Sequence, residues 1–321
     1  MPGTCITNTA RKSWFGVTVM GAFGEDMNDE VNALSITSIF SQISNGLTWT
    51  PTYSRDEGIN GTPFFDKAGV ALDSEMGTGS VVLEPRFGDL GIILPMLLGN
   101  TGASGVYEPT VDGYCQYFKC AKGLGITTQN FGSCKTSQFS FSSSKGQPKL
   151  RLDWGIEACL QETTGAGTLP ALSYSDTAPL IHTASTMTID SVVTPIDNLT
   201  ITGTNNLSTD TFYNNVTRLS LPSNRQEYTM SCTTPFDKAS DVALMAKRAS
   251  TISAQLIYSA GTNISLTIDF PNLIVTAPTP GIPSGDAAIR HEGLQFAAYA
   301  DIAADPQVMP IKFTVDDDAG S

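Results

Sequence analysis

The groups of this chain with acid–base chemistry are two histidines and thirty-one carboxylates. His182 and His291 lie far apart in the sequence, and the chain has neither a G-x-S-x-G nor an H-E-x-x-H motif. We therefore expect each histidine to be a hydrogen-bonded surface or rim residue and not a catalyst. Gly123 and Gly125 lack the third glycine and the following helix of a dinucleotide site. These residues predict neither an enzyme nor a bound cofactor.

Asp153 and Glu157 are the carboxylates with the most suggestive spacing, because they share one face of a predicted strand four residues apart. Strand rise separates them by roughly 13 Å, which is too far for the acid pair of a glycosidase. The acidic cluster at 25–30 lacks the spacing of a calcium-binding loop and is expected to be solvated. No metal site is predicted.

The six cysteines match no zinc-binding spacing, and neither histidine lies near a cysteine pair. Cys115 and Cys120 are five residues apart on a predicted strand, so their side chains point to opposite faces and pair poorly. We expect the cysteines to be reduced and structural, as cytosolic cysteines usually are.

A short pattern occurs twice, as LRLDWG at 150–155 and as LTIDFP at 266–271, 116 residues apart (266 minus 150). In each copy the apolar residues fall on every second position, so they share one face of a strand, while Asp153 and Asp269 take the other face. Each copy follows a turn-rich segment, at 144–148 and at 259–263. A repeated hairpin predicts one β-rich unit used twice.

The elements before each repeat occur in the same order. A strand at 79–86 precedes a helix at 89–98, which Gly99 would end as a C-cap, and a strand at 227–233 precedes a helix at 235–248. Residues 161–175 resemble a linker. Further strands are predicted at 14–20, 47–53, 114–119, 186–193, 198–202, 216–221, 293–299 and 309–315. The chain is expected to be mainly β, with an N-terminal region at 1–50, a first unit at 51–165 and a second at 166–321, each unit with a flanking helix.

The net charge is -13, from 31 acidic and 18 basic residues. This balance argues against wrapping nucleic acid, because affinity for phosphates depends on Lys and Arg. An acidic wall would instead let a duplex pass without stopping. No signal-like apolar run is visible near the N-terminus, and the apolar stretch at 90–98 is too short to span a bilayer. We expect the protein to be made and assembled in a cytoplasm, without a membrane.

Four passages resemble the tail tube protein of long, non-contractile-tailed bacteriophages. The segment at 55–62 is similar to an early turn of that family, and 79–99 to its strand and apolar helix. The segment at 131–141 is similar to the step into a long hairpin. Residues 268–274, 280–285 and 294–315 resemble the closing strands. The likeness covers about residues 50–315. It depends on the order of these features along the chain more than on identical residues.

The resemblance implies a β-sandwich or half-barrel unit with a flanking helix, in a virion protein whose rings stack into a tail tube that conducts the genome. With the repeat, this predicts two tandem tail-tube-like units in the chain. Three copies would give a pseudo-sixfold ring, which we favour; a single enlarged unit would need six. The implied partners are other copies, the tape measure, tail tip and tail terminator proteins, and passing viral double-stranded DNA that is not bound specifically. The protein would reside in the virion tail after assembly in the bacterial cytoplasm.

The candidate bore wall consists of the hairpin strands at 149–160 and 264–275. Asp153, Glu157 and Asp269 are then the candidate lumen-facing carboxylates, although an outward, solvent-facing position explains them equally well. Residues 1–50 and the acidic tail at 316–318 are the candidates for contacts between rings.

Three other classes of function are alternatives to a tail tube protein. One is another viral structural protein, such as a minor tail protein or a capsid decoration protein, of which the latter would form compact oligomers but no tubes. A surface adhesin would need a secretion signal or an anchoring segment. A hydrolytic enzyme on a β-sandwich would need an acidic pair, close in space, that the sequence does not reveal.

Overall fold

The computed structural model describes residues 13–20, 38–40, 42–55, 70–113, 116–124, 127–164, 175–235, 250–261, 263–277 and 290–317. Within these residues the fold is mainly β, as the sequence predicts, and one α-helix, α1, spans Leu90–Leu98. The named strands pair antiparallel. The strands are β1 Trp14–Met20, β2 Ser38–Ile39, β3 Gln42–Asn45, β4 Thr48–Arg55, β5 Val70–Leu83, β6 Val106–Tyr107, β7 Tyr117–Gly123, β8 Thr128–Ser144, β9 Gln147–Ala158, β10 Leu160–Thr164, β11 Ser185–Ile189, β12 Val192–Val193, β13 Asn198–Thr204, β14 Glu227–Pro235, β15 Ile252–Ser259, β16 Ile264–Ala277, β17 Arg290–Ala298 and β18 Lys312–Asp317.

One sheet runs through both halves of the chain. Its strand order is β4–β5–β9–β8–β13–β14–β17–β16–β15–β11–β12. The junction is the ladder between β8 and β13, in which the pairs run from Gln138–Thr204 to Ser144–Asn198. The two halves therefore join through main-chain hydrogen bonds and not only through side-chain packing.

A second sheet packs against the first part of this one. Its order is β2–β1–β7–β8–β10, and it shares β8, whose early residues pair with β7 and β10. Phe15 and Phe118 of this sheet contact the ring of Trp154 in β9, at centroid distances of 6.2 and 5.2 Å. Two facing sheets with interleaved aromatic side chains form a sandwich.

The repeated hexapeptides occupy equivalent places. Each lies on the second strand of a hairpin, β8–β9 in one case and β15–β16 in the other. The predicted alternation is confirmed, because the apolar residues of both copies are buried: Leu150, Leu152, Trp154, Leu266, Ile268 and Phe270. The repeat thus marks two hairpins with the same inward face.

Helix α1 ends at the predicted C-cap. Gly99 adopts a left-handed conformation with φ 74°, and its N–H donates to the carbonyl of Pro95 at 2.9 Å. Thr136 of β8 fixes the helix to the sheet, because its hydroxyl donates to the carbonyl of Met96 at 2.6 Å and accepts from Trp154 Nε1 at 2.8 Å. All three partners are buried.

Among the described residues one large hydrophobic core spans both halves, beside a small cluster of Trp14, Ile39 and Ala121. Phe141 of β8 contacts Phe313 of β18 at 6.0 Å between ring centroids, and Leu199 and Ile201 of β13 belong to the same core. The division into units at 51–165 and 166–321 therefore does not coincide with two separate cores, and it stays a prediction.

Several predicted elements need correction. Residues 216–221 form no strand; they lie in the connection between β13 and β14, where Arg218 and Leu221 are buried while Val216 and Leu219 are exposed. That alternation arises because one side of the connection packs against the rest of the chain and the other side faces solvent. Residues 161–164, predicted as linker, form most of strand β10, which pairs with β8; the described residues place no strand on its other side.

Other boundaries shift in the same way. The strand predicted at 186–193 is broken by Asp190 and Ser191, which both have positive φ. The predicted acidic tail is in part a strand, since Asp316 and Asp317 pair in β18 with Ser265 and Ile264. The second predicted helix, at 235–248, lies outside the described residues beyond Pro235, which ends β14.

We expect Thr136→Val to destabilise the fold by about 2–4 kcal/mol, because the buried Trp154 N–H and Met96 carbonyl would both lose their partner. Thr136→Ser keeps the hydroxyl and should cost only about 1 kcal/mol for the lost methyl group. Urea unfolding of the unassembled protein measures the difference. Equal losses in the two variants would show that the hydroxyl bridge does not hold the helix.

Asp89 precedes α1 as a buried carboxylate. Its Oδ2 accepts a hydrogen bond from the backbone N–H of Arg86 at 2.8 Å. Burial raises the pKa of Asp89 from 3.8 to about 6, although this bond and the Arg86 charge oppose the shift. A folded-state pKa above the unfolded value means that the stabilisation is complete below about pH 4 and is lost as the pH rises through about 6.

We therefore expect Asp89→Asn to remove part of the pH dependence of stability. Between pH 4 and 7.5 the wild type should lose up to about 3 kcal/mol that the variant keeps, because the introduced amide has no charge to bury and its oxygen can still accept from Arg86. The measurement is the difference between the unfolding free energies of the two proteins across that pH range. A difference that does not change with pH would contradict the assignment.

Candidate lumen-facing surface

Asp153 lies on the face of β9 that points away from the core. Its neighbours across the sheet are Val82 of β5 and Ser140 of β8, and its side chain is exposed. No cation among the described residues forms an ion pair with it. Asp153 therefore presents a free negative charge to the surroundings of the sheet.

Glu157 lies on the same strand face but is largely covered. Its carboxylate accepts from Arg218 Nη1 at 2.6 Å and from the Thr78 hydroxyl at 2.8 Å, and only 14% of its side chain is exposed. The Arg218 side chain is 4% exposed, and its guanidinium also contacts Met76 and the ring of Phe212. The charge of Glu157 is thus balanced locally by a residue from the second half.

Asp269 is intermediate between these two. Its carboxylate accepts from Gln255 Nε2 at 2.7 Å and lies 3.6 Å from Lys312 Nζ, with 22% of its side chain exposed. The three carboxylates predicted to face the lumen therefore differ in environment: Asp153 is free, Glu157 is buried in an ion pair, and Asp269 is partly compensated. Whether any of them faces a lumen stays a prediction.

The same sheet face carries rows of hydroxyl and amide side chains that the sequence analysis did not single out. Register places them side by side across β8, β13, β14 and β17. All are exposed or half-buried. They are Ser140, Ser142, Thr200, Thr202, Thr229, Ser231 and Gln295. The available signal was Ser or Thr at every second position of the predicted strands.

This polar face is defined by those seven residues together with Arg151 and Asp153 of β9. Hydroxyl and amide groups are neutral, and Arg151 and Asp153 carry opposite charges. Tight attachment of nucleic acid needs several cations placed against phosphates. The polar face can accordingly lie beside a duplex without holding it.

His182 is buried and not a surface or rim residue, which corrects that expectation. Its Nδ1 lies 3.0 Å from Ser143 Oγ, which is 2.9 Å from the hydroxyl of Tyr258, and its Nε2 lies 3.3 Å from the carbonyl oxygen of Ile196. Burial raises the pKa of Tyr258 to about 12. The cluster joins β8 to β15, and His182 also lies in the wall of a surface groove next to Ile196. The side chain of His291 lies outside the described residues.

The described cysteines are free thiols in the core: Cys120, Cys134, Cys159 and Cys232. Burial raises the pKa of Cys159 and of Cys232 to about 12, so neither is a thiolate at neutral pH. Cys5 and Cys115 lie outside the described residues. Among the residues that the structure describes, no three His, Cys, Asp or Glu side chains are grouped to hold a metal ion.

The described residues thus form a β-sandwich core, two equivalent hairpins and a polar face. A comparison with known families shows where this combination belongs. A family model described as phage tail tube protein matches residues 2–315. The chain belongs to the phage tail tube protein family. The comparison with curated proteins found no match.

Membership in the family assigns this tail tube protein a structural role in the virion tail. Tail tube proteins assemble with copies of themselves, so membership in the family supports self-association of this chain. In the described part of the chain, no helix is long and apolar enough to cross a bilayer.

We expect Arg218→Met to destabilise the tail tube protein by about 3–5 kcal/mol, because it leaves the covered Glu157 carboxylate without its cation. The double variant Glu157→Gln/Arg218→Met should recover most of this loss. Lys149→Met is the matched control, since it removes the exposed pair of Lys149 with Glu84 and should cost at most about 1 kcal/mol. Denaturant unfolding measures all three, and a harmless Arg218→Met would contradict the role of the pair.

Proposed function

We propose that copies of this protein close into rings, that the rings stack into a hollow tail tube, and that viral DNA leaves through the tube. The observation that carries the proposal is an open edge of the continuous sheet. Strand β4 pairs with β5 on one side, and the structure describes no strand on its other side. An open edge of this length is a template for pairing with another chain.

The outer part of β4–β5 forms a two-stranded ribbon. Residues 70–73 of β5 are exposed, as is all of β4 except the half-buried Trp49. The ribbon carries Tyr53, Val70 and Leu72 at 56%, 44% and 38% exposure. An isolated two-stranded ribbon is marginally stable in water, so a ribbon with exposed apolar residues needs a partner surface.

A neighbouring copy is the partner that this geometry favours. Hydrogen bonds of a sheet run across the strands, so a strand added at β4 extends the sheet sideways. Repetition of that contact from copy to copy closes a ring if the rotation is suitable. The ribbon therefore supports contacts within a ring.

We infer three copies in each ring, on the basis of the repeated hairpins. Each copy would supply β8–β9 and β15–β16 to a pseudo-sixfold wall, and the polar face with Asp153, Glu157 and Asp269 would line the bore. The hydroxyl rows of this face are neutral, so they would let DNA move past without binding its phosphates. Tape measure, tail tip and tail terminator proteins complete the proposed set of partners, with assembly in the host cytoplasm.

We expect Tyr53→Asp and Leu72→Asp to prevent ring formation while each subunit remains folded. A carboxylate in a closed apolar contact would lose its hydration, whereas in the free subunit both positions are exposed. Val111→Asp is the control, because Val111 is 57% exposed in the turn at 110–113, outside β4 and β5. Negative-stain electron microscopy and mass photometry measure the assembly, and thermal unfolding checks the fold.

The outcomes separate the parts of the proposal. Hollow rings of wild type and Val111→Asp, with none from the two ribbon variants, would support it. Rings from the ribbon variants would remove the ribbon from the interface. Six copies per ring would overturn the trimer, and compact oligomers without a bore would overturn the tube in favour of a decoration protein.

A further inference from the structure

The connection between β13 and β14 is a built arm, defined here as residues 205–226. Its two limbs bond to each other: Ser208 N–H donates to the carbonyl of Pro222 at 2.8 Å, and the Thr211 hydroxyl donates to the carbonyl of Ser220 at 2.6 Å. The Asn206 side chain also donates to the carbonyl of Arg225 at 2.7 Å. The arm therefore has a fixed shape without being part of the sheet.

Both ends of the arm are fastened to the first half of the chain. At its base, buried Asn205 donates from Nδ2 to the carbonyls of Leu97 and Thr136. Towards its tip, the Arg218 ion pair holds it to β9, and the N–H of Glu75 in β5 donates to the carbonyl of Val216 at 2.7 Å. A loop fastened in this way loses little freedom when it binds a partner.

The tip presents an aromatic residue in an unfavourable backbone conformation. Tyr213 and Asn214 have φ of 45° and 66°, and the N–H of Asn215 donates to the carbonyl of Phe212, which closes a tight turn. Positive φ at both central positions is typical of Asn-Gly, and a bulky residue there is strained. Tyr213 is nevertheless 73% exposed. Turn formation does not explain a tyrosine at this position.

A groove of about 610 Å³ lies at the other end of the same strands. The arm leaves β13 after Thr204, which pairs with Gln138, whereas the groove begins beyond the last pair, Ser144–Asn198. Its lining includes the apolar residues Met187, Val193, Pro195 and Ile196, and the oppositely charged residues Lys145 and Asp197. The arm thus leaves the β8–β13 ladder at the end opposite to the groove, and its contacts with Glu157 of β9 and Glu75 of β5 lie beyond that end.

We propose that Tyr213 of one copy seats in this groove of a second copy and so joins successive rings. The inference rests on the proposed tube. Ring closure uses contacts across the strands, so the stacking of rings needs a separate contact along the strands, and this is the contact that we assign. A knob at one end and a groove at the other make a head-to-tail contact that need not close, and such contacts generate open stacks. The stack then grows by repeating one interface.

Charge also favours a second copy as the occupant. Copies with a net charge of -13 repel each other, so a contact that brings a cation of one to an anion of the next is favoured. Lys145 at the groove is exposed, and so is Asp210, three residues before Tyr213 on the arm. Seating the tip places these opposite charges at the same interface.

The first test is Tyr213→Asn. Asparagine suits a left-handed turn position better than tyrosine, so the subunit should be at least as stable as wild type by thermal unfolding. Rings should still form, whereas the mean tube length by negative-stain electron microscopy should fall at least tenfold. Tubes of wild-type length would overturn the inference and leave the tube proposal intact.

A charge exchange tests the partner surface. Asp210→Lys and Lys145→Glu should each shorten the tubes, and the double variant should restore them, because every interface then pairs the reversed charges. Single variants without effect, or a double variant worse than either, would contradict the assigned pairing.

A photo-crosslinker in place of Tyr213 gives a readout independent of tubes. Mass spectrometry should find it joined to residues of the groove at 183–197 in another copy. Crosslinks to that segment in any oligomer would support the contact, even if wild-type protein formed no rings and the tube proposal failed. Crosslinks confined to other segments, or to the same copy, would overturn it.

Discussion

The β8–β13 ladder is the contact on which the rest of the structure depends. It joins a strand of the first half to a strand of the second, and each strand divides its residues between two faces. One face gives Phe139, Phe141, Leu199 and Ile201 to the core, while the other gives the serine and threonine rows. A slip of one residue would exchange the faces, so burial of the four apolar side chains fixes the register of the polar face as well.

The sequence predicts those parts of the fold in which burial is periodic. The hexapeptide repeat identifies its inward residues correctly because Trp154 and Phe270 must be buried wherever the strands lie. Gly99 identifies the end of α1 because a left-handed residue is needed there. Periodicity predicts a strand at 216–221 wrongly, because Arg218 is buried by its ion pair with Glu157 and not as an apolar residue of a strand. It also fails at β10, whose pairing with β8 is a property of tertiary structure.

The candidate surface was predictable only in part, for the same reason. Alternation decides which face Asp153, Glu157 and Asp269 occupy, but it says nothing about what covers that face. Glu157 is neutralised by a residue 61 positions away, and this pairing depends on the path of the 205–226 arm. The hydroxyl rows were overlooked because a lone serine on a strand is ordinary, whereas a row of them requires the register of four strands.

Electrostatics links the proposed bore to the way in which copies would meet. A chain with a net charge of -13 cannot gather into a tube through its charged surfaces, because like charges repel over the whole approach. Association must then depend on main-chain pairing and on apolar side chains, with the few exposed cations placed opposite acids. The ribbon and the arm tip both meet this requirement, since Tyr53, Leu72 and Tyr213 are exposed without carrying charge. The same shortage of cations would keep the polar face from holding DNA, so in the proposed tube one composition would serve both assembly and passage.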